Sequence, residues 1–146
     1  MASTFISFAM NKREIEDKND IEVLIDVFYD KVMHHEELSY FFTEAMKNWQ
    51  AHKVIFVKYW SAQILFTDSY EGSPLHRHIE IDKSFDRSFT KNHFDEWARL
   101  WTETVNELFI GEKADLAVES GVNMAKNIYL KMFFNRMPDQ TTDSKK

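Results

Sequence analysis

The chain of 146 residues contains no cysteine. This excludes disulfides, thiolate zinc sites and iron–sulfur clusters. It has only three glycines and two prolines, and no alternating strand pattern of useful length; both features favour an all-α chain. There is no basic stripe, and the formal net charge is −6. Neither nucleic acid nor an anionic membrane is therefore expected as the main partner. A short apolar patch between Phe5 and Met10 lacks a preceding basic region and a convincing cleavage site, and no apolar run is long enough to span a bilayer. The expectation is a cytoplasmic protein without signal peptide or membrane span. Internal repeats, serine nucleophile elbows, phosphate loops and dinucleotide fingerprints are also missing.

What the chain does have is rings. Aromatic residues make up 15% of it, including 13 Phe and 4 Trp. A single domain of this size with so many rings either has a bulky core or lines a pocket for something flat and apolar. Residues 1–19 read as a polar lead-in, with room for a short helix near Arg13 to Lys18. Asn19 or Asp20 can cap a helix through about Met33 that turns Ile21, Leu24, Ile25, Phe28 and Val32 inward, with Tyr29 leaning to the same side. Leu38 to Met46 is a short aromatic connector. A helix from about Asn48 to Leu65 places His52, Phe56, Tyr59, Trp60 and Gln63 on one face. Ser73-Pro74 starts a short helix carrying His76, Arg77 and His78, and Asp82 to Lys91 reads as an irregular joint. A long helix from about Asn92 to Ile110 turns Phe94, Trp97, Leu100, Trp101, Val105 and Leu108 inward and ends at Gly111. The last helix runs from about Lys113 to Phe134, with Leu116, Val118, Val122, Ala125, Tyr129 and Met132 as its apolar positions. Pro138 and the residues to Lys146 form a polar tail.

The stretch from Trp49 to Ile79 holds the two histidines of most interest, His52 and His78, read as lying on opposite faces of one flat, buried ligand. A neutral imidazole is the usual protein donor to a haem iron, and Pro74 fixes where the helix bearing His78 begins. His76 lies about 200° around that helix from His78, so the two cannot face one ligand. On pattern alone a solvated surface histidine is the favoured reading of His78, and a water-satisfied helix-edge histidine that of His52. Tyr29 needs a partner for its hydroxyl, and Trp97 offers an N–H donor only; a backbone carbonyl would satisfy either. Trp60 and the phenylalanines are most simply core. His76 with Glu80, or the run His34-His35-Glu36, has spacing suited to a non-haem iron site in a helical bundle, but a converging set of carboxylates and histidines cannot be assembled around them.

Taken together, Phe28-Tyr29-Asp30-Lys31-Val32, Trp49-Gln50-Ala51-His52-Lys53, Tyr59-Trp60, Pro74-Leu75-His76-Arg77-His78 and Phe94-Asp95-Glu96-Trp97 resemble the truncated haemoglobins, most closely their third group. Order and approximate spacing match over residues 20–134, and the low glycine content agrees with the lack of Gly-Gly pairs in that group. The resemblance implies a truncated-globin two-over-two helical sandwich around one haem b (iron protoporphyrin IX). His78 would be the proximal iron ligand. Tyr29, His52 and Trp97 would form the distal pocket, with His52 as a distal or gating residue. Phe42 would pack on the haem, and Phe56 and Trp60 are further candidate haem contacts. His76 and Arg77 flank His78 on its short helix and either help hold the propionates or are merely solvated. Residues 1–19 and 135–146 would be polar extensions of the globin domain.

Such a protein would bind O2, NO and CO at one iron. It could dispose of nitric oxide by dioxygenation or act weakly on peroxide, with a separate reductase. The alternatives are a gas carrier or sensor without turnover, or the non-haem iron bundle.

Overall fold

The computed structural model describes residues 12–67, 74–85 and 87–137, with the backbone alone for residues 74–76. Ser73, the expected cap before Pro74, and the polar tail from Pro138 lie outside the described residues. Within them there are six helices: α1 Lys18–Met33, α2 Ser39–Ala45, α3 Trp49–Leu65, α4 Pro74–Ser84, α5 Lys91–Leu108 and α6 Glu112–Arg136. Among the described residues there is no strand; Arg13 and Phe109 form an isolated parallel bridge.

Helix α1 starts earlier than its sequence suggests, because Asp17 is the cap and its side chain accepts the Asp20 amide at 3.1 Å. Asp20 has a different task. Its carboxylate is buried, where it accepts two hydrogen bonds from the Arg13 guanidinium and one from the Glu16 amide. Burial pushes this carboxyl up, but Arg13 and the Glu16 and Asp17 hydrogen bonds outweigh burial and hold it below the usual range. Ile15 is only 1% exposed, so the packed chain reaches back beyond residue 20. Along α1, Ile21, Leu24, Ile25, Phe28, Tyr29 and Val32 are buried, at the three-and-four spacing of one helix face.

The connector after α1 contains the helix α2, which lacks a side-chain cap. Asn48 caps α3 through the Ala51 amide. Gln63 is exposed, apart from the inward face that buries Trp60 and Ile64. Helix α4 continues through the expected joint as far as Ser84. Thr90 caps α5, and His93 answers in a capping box. Gly111 does not close α5, where Phe109 is the C-terminal cap; it opens α6 with φ 105°, a region that favours glycine.

The long helices close a ring of contacts: α1 packs on α3 and α5, α5 on α6, and α6 on α3. The buried stripe of α6 is Ala114, Ala117, Gly121, Ala125, Ile128 and Met132, whereas Val122 is exposed. Small residues let α5 approach closely. A Cβ at Gly121 would collide with the Trp101 indole. Trp101 is fully buried and donates its Nε1–H to the Ala117 carbonyl at 2.8 Å.

Candidate functional site: an aromatic cavity with opposed polar walls

A cavity is lined by residues of all six helices, α1, α2, α3 and α5 giving most of its rings and α4 and α6 most of its aliphatic side chains. Its first wall is built on Phe28, which is fully buried. Phe28 meets Tyr29, Trp97 and Trp101 edge-on at centroid distances of 4.7, 5.1 and 5.1 Å, the geometry that ring quadrupoles favour. Phe56 stacks on Tyr29 at 4.9 Å and 14°, and Phe42 lies 5.8 Å from it. Trp97 runs nearly parallel to Trp101, which in turn stacks on Trp60 at 4.3 Å. Tyr29 and Trp97 are thus fixed in place by rings on several sides.

Both residues line the cavity. Burial pushes the Tyr29 phenol well above its ordinary pKa, and the Trp97 side chain beside it partly offsets this. Tyr29 therefore stays protonated across all ordinary pH, and its O–H is a permanent donor. His52 also lines the cavity, half-buried, with its ring 6.1 Å from Phe56.

A second wall comes from α4 and α6. His78 and Ile81 of α4 line it, with Met124, Ala125, Ile128 and Met132 of α6. Arg77 reaches the same cavity while remaining exposed. The His76 side chain lies outside the described residues. Tyr29, Phe42, His52, Phe56, Trp60, Trp97, Arg77 and His78 are thus gathered around one space. The His34-His35-Glu36 run is not: His34 meets the Asp30 carbonyl at 2.7 Å, His35 faces Glu96 at 3.4 Å, and Glu36 is exposed. Among the described residues no three His, Cys, Asp or Glu side chains converge as a metal site.

One cavity residue escapes the sequence reading. His93 lines the space next to Phe41, at 4.8 Å. Its Nδ1 accepts the Thr90 amide at 2.9 Å, which places the proton of the neutral ring on Nε2. Burial lowers its pKa, Glu37 opposes that shift, and His35 adds to it. The signal in the sequence was Thr90-x-x-His93, a capping box with histidine in place of the usual Glu or Gln.

The donor set fits a flat group that takes one nitrogen ligand. A single imidazole stands on the α4 wall, neutral O–H and N–H donors stand on the aromatic wall, and apart from His52, His93 and Arg77 the rest of the lining is aromatic or aliphatic. Such a division cannot serve a hard multivalent cation, which needs several oxygen ligands.

This ring of helices around an aromatic cavity is the truncated-globin fold, a two-over-two sandwich: the chain superposes on the crystal structure of the group III truncated hemoglobin from Campylobacter jejuni with a TM-score of 0.73, at 23% identity, covering 83% of this chain and 94% of that one. In sequence it is 24% identical over 120 residues to a group 3 truncated hemoglobin of Campylobacter jejuni, across 80% of this chain and 91% of the relative. The two likenesses support the resemblance to group III truncated haemoglobins. No protein-family model matches the chain. No described helix is long and apolar enough to cross a membrane.

Proposed function

We propose that this chain is a haem protein that reversibly binds O2 and other diatomic gases, NO and CO among them, at a single iron. One observation carries the proposal: His78 of α4 lines the same aromatic cavity as Tyr29 of α1 and Trp97 of α5. The likeness to group III truncated hemoglobins supports it. Haem b would supply an iron able to take an imidazole ligand and to bind a small gas.

The chain's own residues divide the remaining work. His78 provides the metal ligand from α4. The rings of Phe42, Phe56 and Trp60 provide apolar surface and keep water out, so that the nearby dipoles act in a low dielectric. The Tyr29 O–H and the Trp97 N–H are donors suited to an oxygen atom carrying partial negative charge. Because Tyr29 is held neutral, that donor does not switch off with pH. Arg77, exposed yet lining the cavity, is placed to pair with carboxylates such as propionates, and His76 is proposed to join it. His52, half-buried, is proposed as a gate.

A pocket with two donors retains O2 and releases it slowly. Slow release suits chemistry such as nitric oxide dioxygenation, with a separate reductase, better than delivery. The absorption spectrum of the purified protein tests the first claim, since the intense near-ultraviolet band of haem must be present. Stopped-flow mixing of the O2-loaded protein with nitric oxide tests the second. Rapid, stoichiometric nitrate formation is expected; a protein that loses O2 no faster with nitric oxide than without it is a carrier or sensor.

A further inference from the structure

We infer that Asp82 and Arg136 form a positioning clamp that holds the His78 ring on the cavity wall. The inference rests on the haem reading above and adds two residues that do not touch the cavity. Asp82 lies one helical turn beyond His78 on α4, a spacing that puts both on one side of the helix. Its side chain is 4% exposed. Arg136, in the last turn of α6, grips it with both arms of the guanidinium: Nε donates to Oδ2 at 2.8 Å and Nη2 to Oδ1 at 2.5 Å. Nη2 also donates to the Phe89 carbonyl at 2.8 Å. One side chain thus ties α4, the joint before α5, and the end of α6.

The alternative, that the pair only adds stability, is a weak account of it. A buried ion pair is often no more stabilising than well-packed apolar residues of the same volume. What a bidentate Arg–carboxylate contact gives, and apolar packing does not, is a fixed direction and register. Register matters on α4, because among the described residues its main packing is on α6. Among its described side chains the apolar contribution to the cavity is Ile81, and Phe85, just past its end, packs on Tyr40 and Phe41 of α2; the clamp adds the directed polar contact that sets the helix's roll. Met132 lines the cavity one turn before Arg136, so the clamp and the wall share one rigid segment of α6.

The molecule contains its own control. Arg13 grips the buried Asp20 in another two-bond contact, through Nη1 and Nη2 rather than Nε and Nη2, at the start of α1 and away from α4. Asp82→Asn and Asp20→Asn each keep the side chain's shape and remove its charge, and both should lower thermal stability. The distinguishing readout is the iron–histidine stretching band in the resonance Raman spectrum of the haem-loaded, ligand-free ferrous chain. It should shift and broaden in Asp82→Asn and stay at its wild-type position in Asp20→Asn. Arg136→Lys keeps the charge without the fork and should show a smaller shift, which serves if Asp82→Asn does not fold. A wild-type band in a folded variant of either clamp residue overturns the inference. A chain that takes up no haem refutes the haem reading instead. Amide exchange then decides the clamp: α4 amides should exchange about tenfold or more faster in Asp82→Asn but not in Asp20→Asn, and equal rates in the two variants overturn it.

Discussion

The two walls of the cavity are built on different principles. The wall bearing Tyr29 and Trp97 is over-determined: Phe28, Phe56 and Trp101 hold those side chains by ring contacts from several directions. The wall bearing His78 is a helix of 11 residues set on α6 and fixed by a polar clamp. Packing of many rings gives positions that tolerate little movement. A polar clamp gives a position that depends on two residues. On the proposed haem reading, the small gas would meet the rigid part, and the metal ligand would sit on the helix fixed by the clamp.

The largest effect should come from His78→Ala, which removes the only imidazole on its wall among the described residues. Stable haem uptake should be lost, or return only with added imidazole, as read from absorption during titration with haemin. Normal ligand-free ferrous haem in this variant would erase the assigned difference between the walls. Next is Phe28→Ala. The residue is fully buried behind the aromatic wall, and large-to-small changes of this kind cost about 3–5 kcal/mol. Denaturant unfolding should show that loss, together with ligand kinetics that become heterogeneous as Tyr29 and Trp97 lose their backing.

Smaller effects should follow from Tyr29→Phe and Trp97→Phe. A hydrogen bond to a charged acceptor contributes about 1.5–3 kcal/mol, or roughly tenfold to a hundredfold in O2 dissociation rate. The two effects should not add, since both donors serve one small ligand. Unchanged rates in both would show that this wall does not touch the ligand. The smallest effect concerns acid. His93 has a folded-state pKa below its ordinary value of 6.5, so the unfolded chain takes up the proton more readily. Its stabilising contribution is therefore complete above about 6.5 and declines as pH falls below that value. His93→Gln should flatten this early decline in a pH series of melting temperatures. It should leave the later acid loss, as Asp20 and Glu96 protonate below the ordinary carboxylate range.

The rigid wall was far more legible in the sequence than the adjustable one. Helices α1, α3 and α5 carry large apolar residues at helical spacing, so their inward faces could be read directly. Helix α2 was read as a connector, because Tyr40, Phe41 and Phe42 are consecutive rings with no period and no cap. Helix α4 was cut short at Asp82, since a charge near a helix end usually marks solvent. Here it marks a buried partner 54 residues away, and no local pattern encodes that pairing. Asp20 misled in the same manner: a good capping residue was taken by Arg13, and Asp17 capped instead. On α6 hydrophobicity favoured Val122 over Gly121, although the tight approach to α5 needs the smaller residue. His93 was hidden because a polar residue in a first helical turn ordinarily faces water.

Gly121 is not part of the cavity lining, yet it decides how far the Trp101 ring can retreat. Trp101 stands directly behind both Trp97 and Trp60, so a single added methyl group at position 121 would be transmitted through two stacked rings to the cavity surface. The capacity of the pocket is thereby written partly in a position with no side chain. Variation among natural relatives, or a designed library aimed at ligand size, would act through this position from behind the wall, and a search confined to residues in sight of the ligand would overlook it.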